Sequence, residues 1–440
     1  MLGAGRSTSV LIHYLLEHAS QWSAVITVGD QSYEAALAKV ENHSSGNAVA
    51  FDAMNEPLRK EQIAGHDIIV SMLPPAMHLL VAQDCIHFKK HLLTASYVSP
   101  ELQLLNEEVK KAGLLFMCEM GLDPGIDHMS AMKIIHGIQM NGGEIISFKS
   151  GTGGLVAPEY DDNPWHYKIT WNPRNVVLAG QSTAQYLENG IQKFVPYHRI
   201  FTTTEKFKIT NFGKFEAYPN RDSLAYISKY RLSGIKTILR LTLRKEGFCE
   251  AWDALVQLGL TEDSYVLPKT NHMTYSEWLE GYLPEKKKWK GKSLRTRVSK
   301  FLDAKDGTIE RMEWLGLFSN EKIPLESGTP AQILQELIER KWRMEPADND
   351  MIIMRHEIDY ILEGKKLNNV STLILKGEDA THTAMAKTVG LPLGIMVRLL
   401  LQYEVFLTGV HIPVMTQVYE PVLKELETYG INFRDEEEEI

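Results

Sequence analysis

A chain of 440 residues is too long for one ordinary core and implies two or three domains; its 44% hydrophobic and 23% charged residues are those of a globular protein. The net charge of −9 argues against a general partner for nucleic acid or an anionic membrane, and no apolar run reads as long enough to span a bilayer. Three scattered cysteines, Cys85, Cys118 and Cys249, make neither a disulfide framework nor a metal site, so a cytoplasmic protein without a leader is expected.

The chain opens on Met1-Leu2-Gly3-Ala4-Gly5-Arg6-Ser7-Thr8, after which Val10, Leu11, Tyr14 and Leu15 form the apolar stripe of a helix. Residues 24–30 (AVITVGD) then read as a strand ending in Asp30, about 25 residues beyond Gly5. That order is the dinucleotide-binding arrangement: glycines let the backbone approach a pyrophosphate, the helix N-terminus faces its charge, and the acid accepts ribose hydroxyls. Gly3, Gly5, Arg6, Ser7, Thr8 and Asp30 are the candidate cofactor residues. Thr8 stands where a third glycine is usual, so looser packing of this helix is expected. Only Met1 and Leu2 remain for the first strand, so either the natural chain begins earlier or the central strand is weak.

Further strand-like runs at 48–52 (ending in Asp52), 67–73, 91–96 and 114–119 alternate with helix-length segments, which predicts an α/β fold with a doubly wound parallel sheet. Ser71, Leu73, Pro74, Ser96 and Tyr97 fall at the carboxyl ends of those strands, where open sheets bind ligands. Asp52, Ser71, Leu73 and Pro74 join the cofactor candidates. Next comes EMGLDPGIDH (119–128), with Asp123 read as a helix N-cap, Pro124 as the first helical residue, and Ile126, Met129, Met132 and Ile135 as the buried stripe. A carboxylate fixed there faces the crevice and should be held ionised by the helix dipole.

Beyond residue 144 the chain is rich in Gly, Pro, Asn and Trp, as in strands and long loops. Residues 250–345 read as helical and charged, and the basic stretch 286–300 as a solvated face. DMIIMRHEIDYIL and NVSTLILKG form a hairpin about Glu363-Gly364-Lys365-Lys366. A helix (AMAKTVGLPLGIMVRLLLQ), a turn (LTGVHIPV) and a solvated, disordered acidic tail (DEEEEI) complete the reading.

The segments SYVSP (96–100), EMGLDPGIDH (119–128), GGLVAPEYDDNPWHYKITW (153–171), AYPNRDS (217–223) and LTGVHIPV, in this order, resemble the saccharopine dehydrogenases of the glutamate-forming type. The resemblance implies a Rossmann-type domain (1–122, completed by about 381–440), a mixed α/β domain for substrate and dimerisation (123–249 and 346–380) and a small helical domain (250–345). It implies a homodimer that uses NAD or NADP, without a metal, to interconvert saccharopine with glutamate and 2-aminoadipate 6-semialdehyde by hydride transfer at an imine carbon. Proton transfers at nitrogen and at the carbinolamine oxygen need a carboxyl group, for which Asp123 is the candidate, with Tyr97 and Ser96 as hydrogen-bonding neighbours. Saccharopine carries three carboxylates, which suits the planar fork of Arg. Arg221, Arg244 and Thr242 are the leading substrate contacts, followed by Arg174 and Asn172, while Asp127 and His128 either bond to substrate or brace the loop. Two departures stand out. Fungal members that use NADPH have an Arg near the end of the second strand, where this chain has Gly29-Asp30, an acid that favours NAD. Pro75-Ala76 replaces their Tyr-Thr. A reductase of another amino-acid-derived imine, such as carboxynorspermidine, and a catalytically idle cofactor-binding protein are the alternatives.

Overall fold

Short apolar runs followed by helices become parallel strands, most of them buried on both faces, the environment such a sheet requires. In the computed structural model, which describes residues 1–440, these are the strands Ile26–Asp30, Gly46–Ala50, Ile68–Ser71, His91–Thr94 and Leu115–Met117. Ile26–Asp30 pairs in parallel with Gly46–Ala50, and Ile68–Ser71 with His91–Thr94 and then Leu115–Met117. Leu2 joins the two groups, bridging Gly29 on one side and Ser71 on the other. Its N–H donates to Val70 O (2.8 Å) and its O accepts from Met72 (2.8 Å), while Gly3 N–H donates to Gly29 O (2.7 Å) and Gly29 N–H to Met1 O (2.9 Å). The central strand is therefore as short as the sequence suggested, and bonded on both edges.

LTGVHIPV, expected to be a turn, contains the strand Gly409–His411, parallel to Leu115–Met117. Three residues are too few to display a strand pattern, and the glycine and proline around them read as turn signals. The helix Ala384–Leu401 also departs from expectation: with 18 residues and a mean hydropathy of 1.5 it has the length and composition of a membrane span. Two thirds of it (67%) is buried inside the protein. Gly390 and Gly394 let it lie against the helix Ser9–Ala19, since a Cβ on either would meet Leu11 N at 2.9 Å or Tyr14 Cδ1 at 2.5 Å. The close approach that Thr8 does not supply is made here by two other glycines.

The chain divides into two compact units, Met1–Glu144 with Ile361–Lys365 and Ser371–Glu436, and Ile145–Tyr360 with Lys366–Val370 and Glu437–Ile440. Three domains were expected. The helix Ile126–Met140 falls in the first unit, where His136 Nδ1 lies 2.9 Å from Tyr419 Oη. The stretch 250–345 falls wholly in the second, because it shares a core with the strands and loops before it. Trp165 packs edge-on against Phe248, Trp252 and Trp342, and its Nε1 donates to Arg311 O at 2.8 Å.

A second sheet, of nine strands, runs in the order Phe433–Glu439, Lys365–Lys376, Asp350–Leu362, Glu144–Val156, Thr237–Lys245, Gly213–Pro219 and Glu205–Ile209, with Ala184–Glu188 and Ile191–Val195 added beside Thr237–Lys245. The expected hairpin is present, turning at Glu363 and Gly364, both at positive φ as a tight two-residue turn demands. The acidic tail is not disordered: Phe433–Glu439 is an edge strand whose side chains stay in solvent, a charged edge that discourages further pairing.

Candidate active site

Three groups of predicted residues come together in the first unit. The first is the glycine turn. Gly3 sits at φ +102, and a Cβ there would lie 3.1 Å from Met72 O, whereas nothing stands within 4 Å of where a Cβ on Gly5 would be. One glycine permits the turn and the other leaves room for a phosphate. Arg6 is exposed and Ser7 half-buried in the 3-10 turn Arg6–Thr8 that leads into the helix Ser9–Ala19. Thr8 is buried and its hydroxyl donates back to Gly5 O at 2.7 Å, so it braces the loop. Asp30 ties the loop to its strand, Oδ2 accepting from Ala4 N–H (2.7 Å) and Oδ1 from Ser32 N–H (3.0 Å). Each oxygen keeps acceptor capacity for a ribose hydroxyl. Asp52 is exposed and accepts from Met54 N–H at 2.9 Å. Glycine cradle, helix N-terminus and acid together fit a dinucleotide.

The second group lies at the ends of Ile68–Ser71 and His91–Thr94. Leu73 is half-buried and Pro74 exposed, as a rim requires. Ser71 is 0% exposed, so it forms the floor and is out of reach of a cofactor, contrary to expectation. Its hydroxyl lies 3.0 Å from His78 Nδ1, and the other ring nitrogen of His78 lies 2.8 Å from Ser96 Oγ. Burial holds His78 down to about pKa 4, so at neutral pH one ring nitrogen donates and the other accepts. His78 was missed in the sequence; its one signal there was a position at the start of a helix just past a strand end.

The third group is EMGLDPGIDH. Asp123 is not a helix cap: the Asp123–Pro124 peptide is cis and lies in a turn, and the helix begins at Ile126 with Gly125 at its N-cap position. Asp127 does the capping backwards, its Oδ1 accepting Gly125 N–H at 2.6 Å. Gly125 sits at φ +148, and a Cβ there would lie 2.0 Å from Gly121 O, so no other residue closes this turn. Asp123 is half-buried, and Tyr97 Oη donates to its Oδ1 at 3.3 Å. That hydrogen bond ties the carboxylate to the segment that follows the neighbouring strand. Asp127 and His128, 1% and 0% exposed, lie beneath the turn and present no surface to a substrate. His128 Nε2 is 2.8 Å from Oε2 of Glu119, which is itself buried.

In the second unit, the strand Thr237–Lys245 carries Arg244, 3% exposed. Its guanidinium is surrounded by rings, centred 4.9 Å away for Tyr167, 5.2 Å for Phe248 and 5.8 Å for Tyr218. Its Nη1 donates to Leu243 O at 2.8 Å, but its Nε has no partner, and the hydroxyls of Tyr167 and Thr152 are likewise buried without one. Thr152 is paired in register with Thr242, which is half-buried on the neighbouring strand. A buried cation without a carboxylate, with idle hydroxyls nearby, is a place for an anionic group. Tyr167 and Thr152 had not been singled out. Arg174 is tied to Asp263 and approaches Gln335 Oε1 at 3.5 Å, and Asn172 caps the helix Pro173–Leu178. Both are thus occupied locally, and Arg221 lies exposed in a turn at φ +54.

Residues 1–117 match the family model described as the saccharopine dehydrogenase NADP binding domain, and residues 121–431 the one described as the saccharopine dehydrogenase C-terminal domain. The chain is 31% identical to a saccharopine dehydrogenase [NADP(+), L-glutamate-forming] of Schizosaccharomyces pombe, covering 99% of this chain and 98% of that one. It is 34% identical to the α-aminoadipic semialdehyde synthase of Arabidopsis thaliana over 91% of this chain, but spans only 39% of that longer protein. The structure superposes on apo saccharopine dehydrogenase (L-Glu forming) from Saccharomyces cerevisiae with a TM-score of 0.89 at 30% identity, covering 99% of this chain and 98% of the other.

Proposed function

Since this chain belongs to the saccharopine dehydrogenase family, we propose that it interconverts saccharopine with glutamate and 2-aminoadipate 6-semialdehyde in lysine metabolism, with a nicotinamide dinucleotide as redox partner. The observation that carries the chemistry is the Tyr97–Asp123 hydrogen bond at the carboxyl edge of a dinucleotide-binding sheet. The cofactor supplies hydride transfer. What the protein supplies is binding and proton handling. In the oxidative direction the secondary amine of saccharopine must lose its proton before hydride leaves the adjacent carbon, and ionised Asp123 is the acceptor. Asp123 then passes that proton to solvent. Water adds to the imine carbon and gives a proton to the carboxylate, which hands it to nitrogen, and loss of the carbinolamine hydroxyl proton to Asp123 expels glutamate from the aldehyde. Arg244, with Thr242, Tyr167 and Thr152, holds a substrate carboxylate in this reading.

The cofactor preference is a finer point. Relatives carry NADP(+) in their names, whereas Asp30 ends the strand Ile26–Asp30, and we propose that its charge repels a 2′-phosphate and that this chain prefers NAD. Saccharopine oxidation measured in parallel with both cofactors tests both statements. Turnover with a higher kcat/KM for NAD is expected. A clear preference for NADP removes the role given to Asp30, and turnover with neither removes the function.

A further inference from the structure

We infer that Glu119, His128 and Asp127 form a buried positioning device that sets the Tyr97–Asp123 pair for proton transfer, an inference resting on the acid–base role given to Asp123 above. Tyr97 and Asp123 stand on different segments, residues 96–98 after one strand and the turn 121–125 after the next. Their contact depends on how those segments are held together. Glu119 flanks Tyr97 on both sides: its N–H donates to Ser96 O at 3.0 Å, and its Oε1 accepts Val98 N–H at 3.2 Å. Its other oxygen is 2.8 Å from His128 Nε2, and His128 Nδ1 is 3.6 Å from Asp127 Oδ2. Asp127 Oδ1 then accepts Gly125 N–H at 2.6 Å, and Gly121 N–H donates to Pro124 O at 2.9 Å to close the turn that presents Asp123. One chain of polar contacts thus runs from the backbone beside Tyr97 to the backbone beside Asp123.

The three side chains are 1%, 0% and 1% exposed, so they touch neither solvent nor ligand. Burying two carboxylates with one imidazole is costly unless the geometry is tight, and an apolar trio would fill the same space without that cost. What the polar chain supplies, and an apolar trio would not, is direction at both ends. The Tyr97–Asp123 bond is 3.3 Å long, beyond the optimum for an O–H donor. A small shift of either segment therefore breaks it.

The test is saccharopine oxidation by the full chain, with kcat and KM followed across pH, in Glu119→Gln, Asp127→Asn and His128→Asn. Displacing a reacting group by about 1 Å costs up to about a hundredfold, so kcat should fall about tenfold to a hundredfold while cofactor affinity is held. Asp123, deprived of the Tyr97 hydrogen bond, should titrate higher, moving the acidic limb of the kcat profile to higher pH. A merely structural role would lower the yield or melting temperature and leave folded molecules with the wild-type kcat and limb. Glu119→Gln and Asp127→Asn keep side-chain shape and carry the test if His128→Asn does not fold. Wild-type turnover with kcat and limb unaltered in those two variants overturns this inference alone. Absence of turnover in the wild-type chain overturns it together with the proposed function.

Discussion

At the residue scale, two buried cationic or ionisable side chains lead to opposite expectations. Arg244 is sealed among rings with an unpartnered Nε, an arrangement that costs stability and is suited to an incoming anion. Arg244→Met should therefore raise the KM for saccharopine about a hundredfold, the value of a charge-assisted hydrogen bond of about 2–3 kcal/mol. The thermal midpoint should hold or rise in the same variant; an unaltered KM would place the substrate carboxylates elsewhere. His78 contributes to stability through what it excludes. Its folded pKa of about 4 lies below the ordinary 6.5, so the unfolded chain takes up a proton in that window that the folded chain does not. The stability is present above the unfolded value and lost as pH falls through the folded one. A shift from 6.5 to about 4 corresponds to about 3 kcal/mol. Urea unfolding at about pH 7 and about pH 4 should show the wild-type chain losing about 2–3 kcal/mol more than His78→Asn between the two. Equal losses would show that the Ser71–His78–Ser96 contacts tolerate an imidazolium. Arg244 was legible as a candidate from its residue type and strand. His78 was not, because nothing local distinguishes an imidazole that will be buried between two serines from an exposed one.

At the element scale, the turn Gly121–Gly125 shows how a sequence signal can be read correctly in type and wrongly in place. Asp-Pro before an apolar stripe is a helix-start signature, and a helix does start here, but at Ile126. What moves the boundary is Gly125 at φ +148, packed on the backbone of Gly121, a close backbone contact within the turn that residue spacing does not reveal. Gly125→Ala should cost about 3 kcal/mol of stability in chemical denaturation, from backbone strain and the clash together. It should also lower kcat about a hundredfold by displacing Asp123. A variant within about 1 kcal/mol of wild type would mean that the turn relaxes without loss. The parallel strands were legible because burial on both faces leaves continuous apolar runs. Gly409–His411 and Phe433–Glu439 were not: one is three residues long, and the other is an edge strand whose exposed acids read as a solvated charge run.

At the scale of the whole molecule, the five segments that carried the family resemblance are spread over both compact units, which is why the family was readable from them. A shared core decides a boundary, and the ring cluster about Trp165 puts residues 250–345 with the second unit. The same division makes ligand linkage readable by spectroscopy. Of the eight tryptophans only Trp22 lies in the first unit, so tryptophan fluorescence follows the second unit almost alone, while far-ultraviolet circular dichroism follows both. The dinucleotide cradle is built wholly from residues of the first unit. Cofactor at about a hundred times its Kd stabilises the folded state that binds it by about 2.7 kcal/mol. If each unit unfolds on its own core, that increment should appear in the dichroism transition of the first unit and leave the fluorescence transition unmoved. A fluorescence transition that moves by the same amount would show instead that the two units unfold as one cooperative block, with cofactor energy shared across the chain.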